Sequence, residues 1–188
     1  MVQVVWFKKD LRLRDHAPLH GAAARGEVLP LYIYEPEQLG HEEFAGHHLR
    51  YLNDCLHELD GSLGRLGAPL VIRRGEATEV FENLRAELEA AGKALSAIWA
   101  HEETGNMVSF RRDLRVHAWA AARQVAFAEL PQNGVIRRLR SRGRGGEDSW
   151  AEQWEERLGG HPLPAPAALR GAAALVRGAG SRRTGGRP

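Results

Sequence analysis

The sequence predicts an α/β fold, a doubly wound sheet of about five parallel strands with helices on both faces. Three observations carry this. Five short apolar runs rich in β-branched and aromatic residues read as strands buried on both faces. Amphipathic helical patterns alternate with them at the spacing of parallel βαβ units with right-handed crossovers. The first, second and fourth runs break into charge at their carboxyl ends, where open sheets of this kind bind ligands.

The first strand is Val2–Phe7, followed by a loop in which Lys8, Lys9, Asp10, Arg12, Arg14 and Asp15 alternate with Leu11 and Leu13. His16–Arg25 is Ala-rich and reads as a helix, with Asp15 as its cap and Gly26 as its stop. Val28–Tyr34 is the second strand; Pro30 near its start costs little. Glu37–Ala45 is polar and irregular. Leu49, Leu52, Leu56, Leu59, Leu63 and Leu66 recur every three or four residues, which predicts a long helix over Gly46–Leu66 that Gly67 ends. Pro69–Ile72 starts a third strand. Thr78 is placed to cap the next helix, whose buried face is Val80, Phe81, Leu84 and Leu88. Ala94–Ala100 is the fourth strand, Met107–Arg123 a helix and Val125–Leu130 the fifth strand. These elements make a Rossmann-like domain over about residues 1–131. Residues 132–160 read as a linker, ordered over Gln132–Arg142, with a short helix at Trp150–Leu158 whose Trp150, Trp154 and Leu158 share one face. Residues 161–188 are Pro, Ala, Gly and Arg without periodicity, which predicts a disordered C-terminal tail.

No apolar run approaches the ~20 residues that span a bilayer, so no membrane partner is expected. The single cysteine, Cys55, cannot form an internal disulfide, and with no signal peptide at the start a cytoplasmic location is expected. The formal net charge is +2, but residues 137–188 hold 11 arginines against 5 acidic residues, so the folded part is mildly acidic. A basic end of this composition reads as compositional noise rather than a nucleic-acid arm.

There is no G-x-G-x-x-G after the first strand and no P-loop, so nothing cradles a phosphate. His41, His47 and His48 lack metal-ligand spacing, Cys55 reads as core, and Tyr32 and Tyr34 as sheet-face residues. The stronger grouping is spatial. With strands one, two and four as neighbours, Lys8, Lys9, Asp10, Arg12, Glu35, His101, Glu102 and Glu103 gather on one edge. Mixed charge above an apolar floor of Trp6 and Trp99 suits a planar, polar heterocycle. No nucleophile lies beside a base and no metal set is seen, so no catalytic residue is assigned.

The stretch WFKKDLRLRDHAPL resembles the N-terminal signature of DNA photolyases and cryptochromes, W-F-R-x-D-L-R-x-x-D-N-x-A-L. Trp6, Phe7, Asp10, Leu11, Arg12, Asp15 and Leu19 match it; Lys8 stands for the usual Arg and His16 for Asn. The segments IWAHEETGN and LPQNGVIRRLRSR are similar to one bacterial branch, and PLPAPAALR resembles the family's interdomain linker. The resemblance covers about residues 1–168. It implies an antenna domain holding a folate, deazaflavin or flavin chromophore that passes excitation energy to FAD. It also implies that FAD, the electron-transferring tryptophans and the damaged-DNA groove belong to a following helical domain.

That domain is expected to be absent here, where GAAALVRGAGSRRTGGRP stands in its place, as after a truncation or frameshift. The expected function is therefore the light-harvesting module of a deoxyribodipyrimidine photolyase-like flavoprotein, inactive alone. A cryptochrome-type light sensor and a free-standing nucleotide-binding α/β protein are the alternatives. Lys8, Asp10, Arg12, Glu35, His101, Glu102 and Glu103 are the expected chromophore contacts, with Glu103 first by position. The loop His101–Arg112 is longer than in many folate- or deazaflavin-binding members, and the segment RSRGRGGEDSW is longer than the family's short R-S-R-D-G-W. Damaged DNA is a partner only through the missing domain, and the uncovered interdomain face is expected to self-associate.

Overall fold

The computed structural model describes residues 1–42, 44–137 and 150–176, the side chain of Trp150 excepted. Residues 138–149 of the expected linker, the Trp150 side chain and the last twelve residues of the expected tail lie outside the described part.

Five parallel strands, β1 (Val2–Phe7), β2 (Glu27–Tyr34), β3 (Val71–Arg74), β4 (Leu95–His101) and β5 (Ala126–Leu130), lie in the order β3-β2-β1-β4-β5. The chain winds outward from β1 to β3, crosses back to β4 and winds outward again, so the order reverses between β1 and β4. That reversal leaves a crevice at the carboxyl edge. Strand β1 is buried throughout because both of its faces are covered, and its side chains alternate between two cores. Val2, Val4 and Trp6 face helices α4 (Ala77–Ala90) and α5 (Met107–Ala122). Val5 and Phe7 face α1 (Ala17–Ala23) and α3 (Gly46–Arg65, after the short α2 at Pro36–Leu39). Gln3 shares the second face and stays hydrogen-bonded there, accepting from Trp99 Nε1 at 2.9 Å. Trp99 pairs in register with Val5, so the pleat puts it on the α1 side. There α1 comes close to the indole, and a Cβ on Gly21 would stand 2.6 Å from the ring.

Pro30 is tolerated for a reason of parity. Val28 and Tyr34 turn their backbone groups away from β1, toward the C-terminal segment and the turn after β3. Pro30 shares that side, in the gap between the bridge at Val28 and the first β3 pair at Leu31, where no N–H is needed.

Two helix caps differ from the expected ones. Asp15 adopts φ 53°, and the cap of α1 is His16, whose Nδ1 accepts from the Leu19 N–H at 3.1 Å. Glu76, rather than Thr78, caps α4: its carboxylate reaches the N–H groups of both Thr78 and Glu79 and adds negative charge at the helix start.

The expected disorder of residues 161–188 does not hold for 161–176. This segment runs back over the domain as a strap. Asp15 and Leu163 bond through their backbones, His20 meets the Pro164 carbonyl, and Leu169 N–H donates to Leu66 O at 2.7 Å. Val28 and Gly171 form a parallel bridge, and Leu169, Ala172, Ala173 and Val176 are buried. Helix α6 (Trp150–Leu158) forms as expected and sets Trp154 against Gly134, but Trp154 and Leu158 remain 38% and 52% exposed. Among the described residues, no helix is long and apolar enough to cross a membrane.

Candidate functional site: a polar-floored cavity at the carboxyl edge

A cavity of about 240 Å³ opens where β1 and β2 end, under α2 and the first turns of α3. It is smaller than the roughly 300–1,000 Å³ of ordinary ligand clefts, and fits one planar ring system. Tyr32, Leu39, Phe44, Leu52 and Cys55 make the apolar walls; Lys8, Lys9, Glu35, Gln38, Glu103 and Arg112 supply the polar groups.

Arg112 organises the polar side. From α5 its guanidinium donates to Glu35 Oε1 at 2.8 Å, to Glu103 Oε2 at 2.6 Å and to Asp113 Oδ1 at 2.8 Å. It lies 4.7 Å from the Trp6 ring centre, and Lys8 Nζ lies 5.0 Å from it, so the floor is an indole carrying two cations. Lys8 also reaches Asp113 at 3.4 Å, and the mostly exposed Lys9 reaches Glu103 at 3.1 Å. Burial alone would raise the Glu103 carboxyl, but Arg112 and Lys8 outweigh it and hold Glu103 below its usual range. For Glu35 burial wins over Arg112, and the nearby Glu103 and Asp113 charges add to it; its carboxyl is pushed up to about 7.

A raised carboxyl makes the folded state the better proton binder. Stability from Glu35 is complete below the ordinary pKa of 4.5 and is lost as pH rises through about 7. We therefore expect Glu35→Gln to flatten the fall in stability between about pH 4.5 and 7, and to be more stable than the parent at pH 8. Urea titrations across that window check it; parallel curves for the two proteins would refute it.

The sequence-predicted residues divide. Lys8, Glu35 and Glu103 line the cavity; Asp10, Arg12, His101 and Glu102 do not, and the expected second floor residue, Trp99, lies on the other face of the sheet. Asp10 is buried. Its Oδ1 accepts the Lys8 N–H at 2.8 Å, and its Oδ2 lies 2.6 Å from His101 Nδ1 and 3.0 Å from His16 Nε2. Burial opposes the charge, yet the His101 and His16 contacts and the Lys8 N–H hold the Asp10 carboxyl far below the usual range.

One carboxylate with two imidazoles is a donor set that a divalent metal favours, but these residues do not fit one. His16 Nδ1 already accepts the Leu19 N–H, which leaves the ring's proton on Nε2, facing Asp10. The 2.6 Å contact between Asp10 and His101 is a hydrogen bond with no room for an ion between its atoms. The trio is a clamp that ties the end of β1 to β4 and to the start of α1. Arg12 is turned back on its own loop, donating to Asp15 O, and faces a second hollow with His101 and Arg157. Glu102 lies 3.7 Å from Arg157.

Sequence reading missed Arg112, Gln38, Phe44 and His16. For Arg112 a signal existed: stepping back along α5 by three from Trp119 reaches Val116, and by three or four from Val116 lands on Asp113 and Arg112, so both lie on the buried face. The structure buries them there as an ion-paired cluster.

The family model described as DNA photolyase matches residues 3–138. A cryptochrome DASH from Gloeobacter violaceus is 35% identical over 119 residues, 60% of this chain and 23% of that protein. A deoxyribodipyrimidine photo-lyase from Streptomyces griseus is 36% identical over 97 residues, 51% of this chain and 21% of that protein. The chain therefore spans under a quarter of these relatives. Among solved structures, a Synechocystis cryptochrome superposes with TM-score 0.71 at 19% identity, covering 90% of this chain and 37% of its own. A Sulfolobus tokodaii photolyase, solved with two FAD molecules, gives 0.65 at 21%, covering 93% and 39%. Both share the fold.

Proposed function

We propose, because this chain belongs to the DNA photolyase family, that its α/β domain is a light-harvesting module whose cavity holds an antenna chromophore of the folate, deazaflavin or flavin type. The observation that carries this is a ring-sized hollow at the carboxyl edge with apolar walls and a buried, ion-paired polar side. A bound chromophore would supply light absorption and pass the energy to FAD. The chain's own residues would bind and orient it: Tyr32 and Phe44 from the walls, Lys8 and Arg112 from the floor. Light-driven repair of pyrimidine dimers is the activity such a domain serves, with damaged DNA met outside these residues; the domain alone is inactive, and we assign it no catalytic residue. The single cysteine suits a reducing cytoplasm. The exposed Trp154 and Leu158 make self-association the expected solution behaviour.

Purification of this chain, with absorption spectra before and after adding folate, deazaflavin and flavin candidates, tests the reading. A co-purifying or retained chromophore band is expected, in a protein that elutes larger than a monomer on size exclusion. A colourless protein that retains none of the three classes would overturn the antenna role, and a clean monomer the self-association.

A further inference from the structure

Gln38 carries a buried amide nitrogen with no hydrogen-bond partner among the described residues, and it stands in the cavity wall. Buried donors are rarely left unpaired, because each costs its full desolvation. Gln38 lines the hollow, so a turn of its side chain brings that donor to an acceptor that arrives with a ligand. Glu35 stands beside it. Glu35 is the residue before α2 and its backbone carbonyl accepts the Gln38 N–H at 3.1 Å, so the two side chains are one helical turn apart and line the same cavity. Glu35 is held to Arg112 through Oε1 alone, at 2.8 Å. The wall thus holds an unpaired hydrogen donor and a carboxyl group on residues one turn apart, with Tyr32 and Phe44 among the aromatic residues that line the same cavity.

We propose that Gln38 and Glu35 read the lactam edge of a planar heterocycle, a ring carbonyl accepting from Gln38 Nε2 while the adjacent ring N–H donates to the Glu35 carboxylate. This rests on the reading of the cavity as a chromophore site, and goes beyond it in fixing which edge of the ring faces α2. Gln38 is the specificity-determining residue: an amide donor selects a ring carbonyl over a C–H edge, and Glu35 selects an unsubstituted ring nitrogen over an alkylated one. A site built on such bonds rejects an analogue that cannot make them more strongly than an apolar slot rejects a change of size.

The test uses ring probes that need no tail. Lumiflavin and 6-methylpterin both carry the C=O/N–H edge and both fluoresce; 3-methyllumiflavin keeps the carbonyls but has lost the N–H. Fluorescence titrations against the whole chain are expected to show a bound ring for at least one of the two unmethylated probes. Gln38→Leu is expected to weaken that probe about tenfold, the worth of one buried hydrogen bond. Its thermal midpoint should equal or exceed that of the parent, because an unpaired donor has been removed, and this separates lost recognition from lost folding. Where lumiflavin is the ring that binds, the 3-methyl compound should bind about tenfold more weakly to the parent. Equal binding of the probe by parent and Gln38→Leu would overturn the edge assignment and leave the chromophore cavity standing, as would equal binding of lumiflavin and its 3-methyl analogue. Failure of the folded parent to bind either ring at millimolar concentration would overturn both.

Discussion

Arg112→Met is expected to destabilise the protein by about 3–5 kcal/mol, the range for removing one partner of a buried charge network. In a domain of this size that lowers the midpoint of thermal unfolding by roughly 10 °C or more. The magnitude follows from what is left behind. Arg112 is only 3% exposed and is bonded to three carboxylates, Glu35, Glu103 and Asp113. After its removal Asp113 still has Lys8 at 3.4 Å and Glu103 still has Lys9 at 3.1 Å, but Glu35 keeps no cation among the described ion pairs. Glu35 is also the group already pushed up to about 7, with burial as the largest cause and Arg112 resisting it. Without Arg112 its proton is held more tightly still. The loss should therefore be largest above pH 7 and shrink as the pH falls toward 5, and Arg112→Met combined with Glu35→Gln should recover part of it. Thermal scans of parent, single and double variants at pH 5 and pH 8 measure this. A single variant whose midpoint stays within about 2 °C of the parent at pH 8 would mean that the network contributes nothing net, as many ion pairs do.

Much of the fold is legible because strands buried on both faces need long apolar runs, and crossover helices need one apolar stripe; both periods survive in this sequence. What the residues do not carry is register. Trp6 and Trp99 look alike as aromatic residues late in their strands, but Trp99 is opposite Val5 and not Trp6, and a one-residue offset sends it to the other face. Capping is hard to read where geometry decides among neighbouring polar residues. Asp15 has a side chain suited to a cap, yet its left-handed backbone hands the role to His16. The strap is unreadable for a different reason. Alanine, glycine and proline have no periodic pattern, and what orders residues 163–176 is backbone hydrogen bonding at close approach, which composition does not report.

The site shows the same division. Lys8, Glu35 and Glu103 could be found as charges just past strand ends, because that position alone puts them on the carboxyl edge. Position does not say which way a side chain turns. Asp10 and His101 are equally close to strand ends, and they meet each other instead of the cavity, closing a clamp that only the third member, His16, explains. Burial pushes the His16 imidazole below its ordinary value, in keeping with a neutral ring that caps α1 through Nδ1 and sets Nε2 3.0 Å from Asp10 Oδ2. The cavity's organiser, Arg112, comes from α5, where a charge shows as buried only when the helical period of Val116 and Trp119 is extended through it.

Gly171→Ala is expected to cost about 3 kcal/mol and to free the strap, because losing two buried side chains at about 1.5–3 kcal/mol each is partly offset by the chain entropy the strap regains. A Cβ at this position would stand 2.2 Å from the Gly67 carbonyl oxygen and 2.8 Å from the Ala68 Cα. Both neighbours are backbone, so no side chain can swing aside. Gly67 itself ends α3 at φ +92°, a conformation that leaves it little freedom to retreat. The cheaper response is for the strap to lift, which breaks the Val28–Arg170, Ala172–Val28 and Leu169–Leu66 hydrogen bonds together and exposes Leu169 and Val176. Hydrogen exchange locates the effect: the amides of Val28, Leu169 and Ala172 should exchange about 100-fold faster, as local opening of that free energy requires, while those of Val4 and Ile98 in the sheet centre change only with the global stability. Trypsin should cut after Arg170 in the variant before it does so in the parent. Gly160→Ala, where a new Cβ meets nothing within 4 Å, is the matched control and should leave all three amides protected. If Gly171→Ala exchanges like that control, the strap rests on the domain without stabilising it.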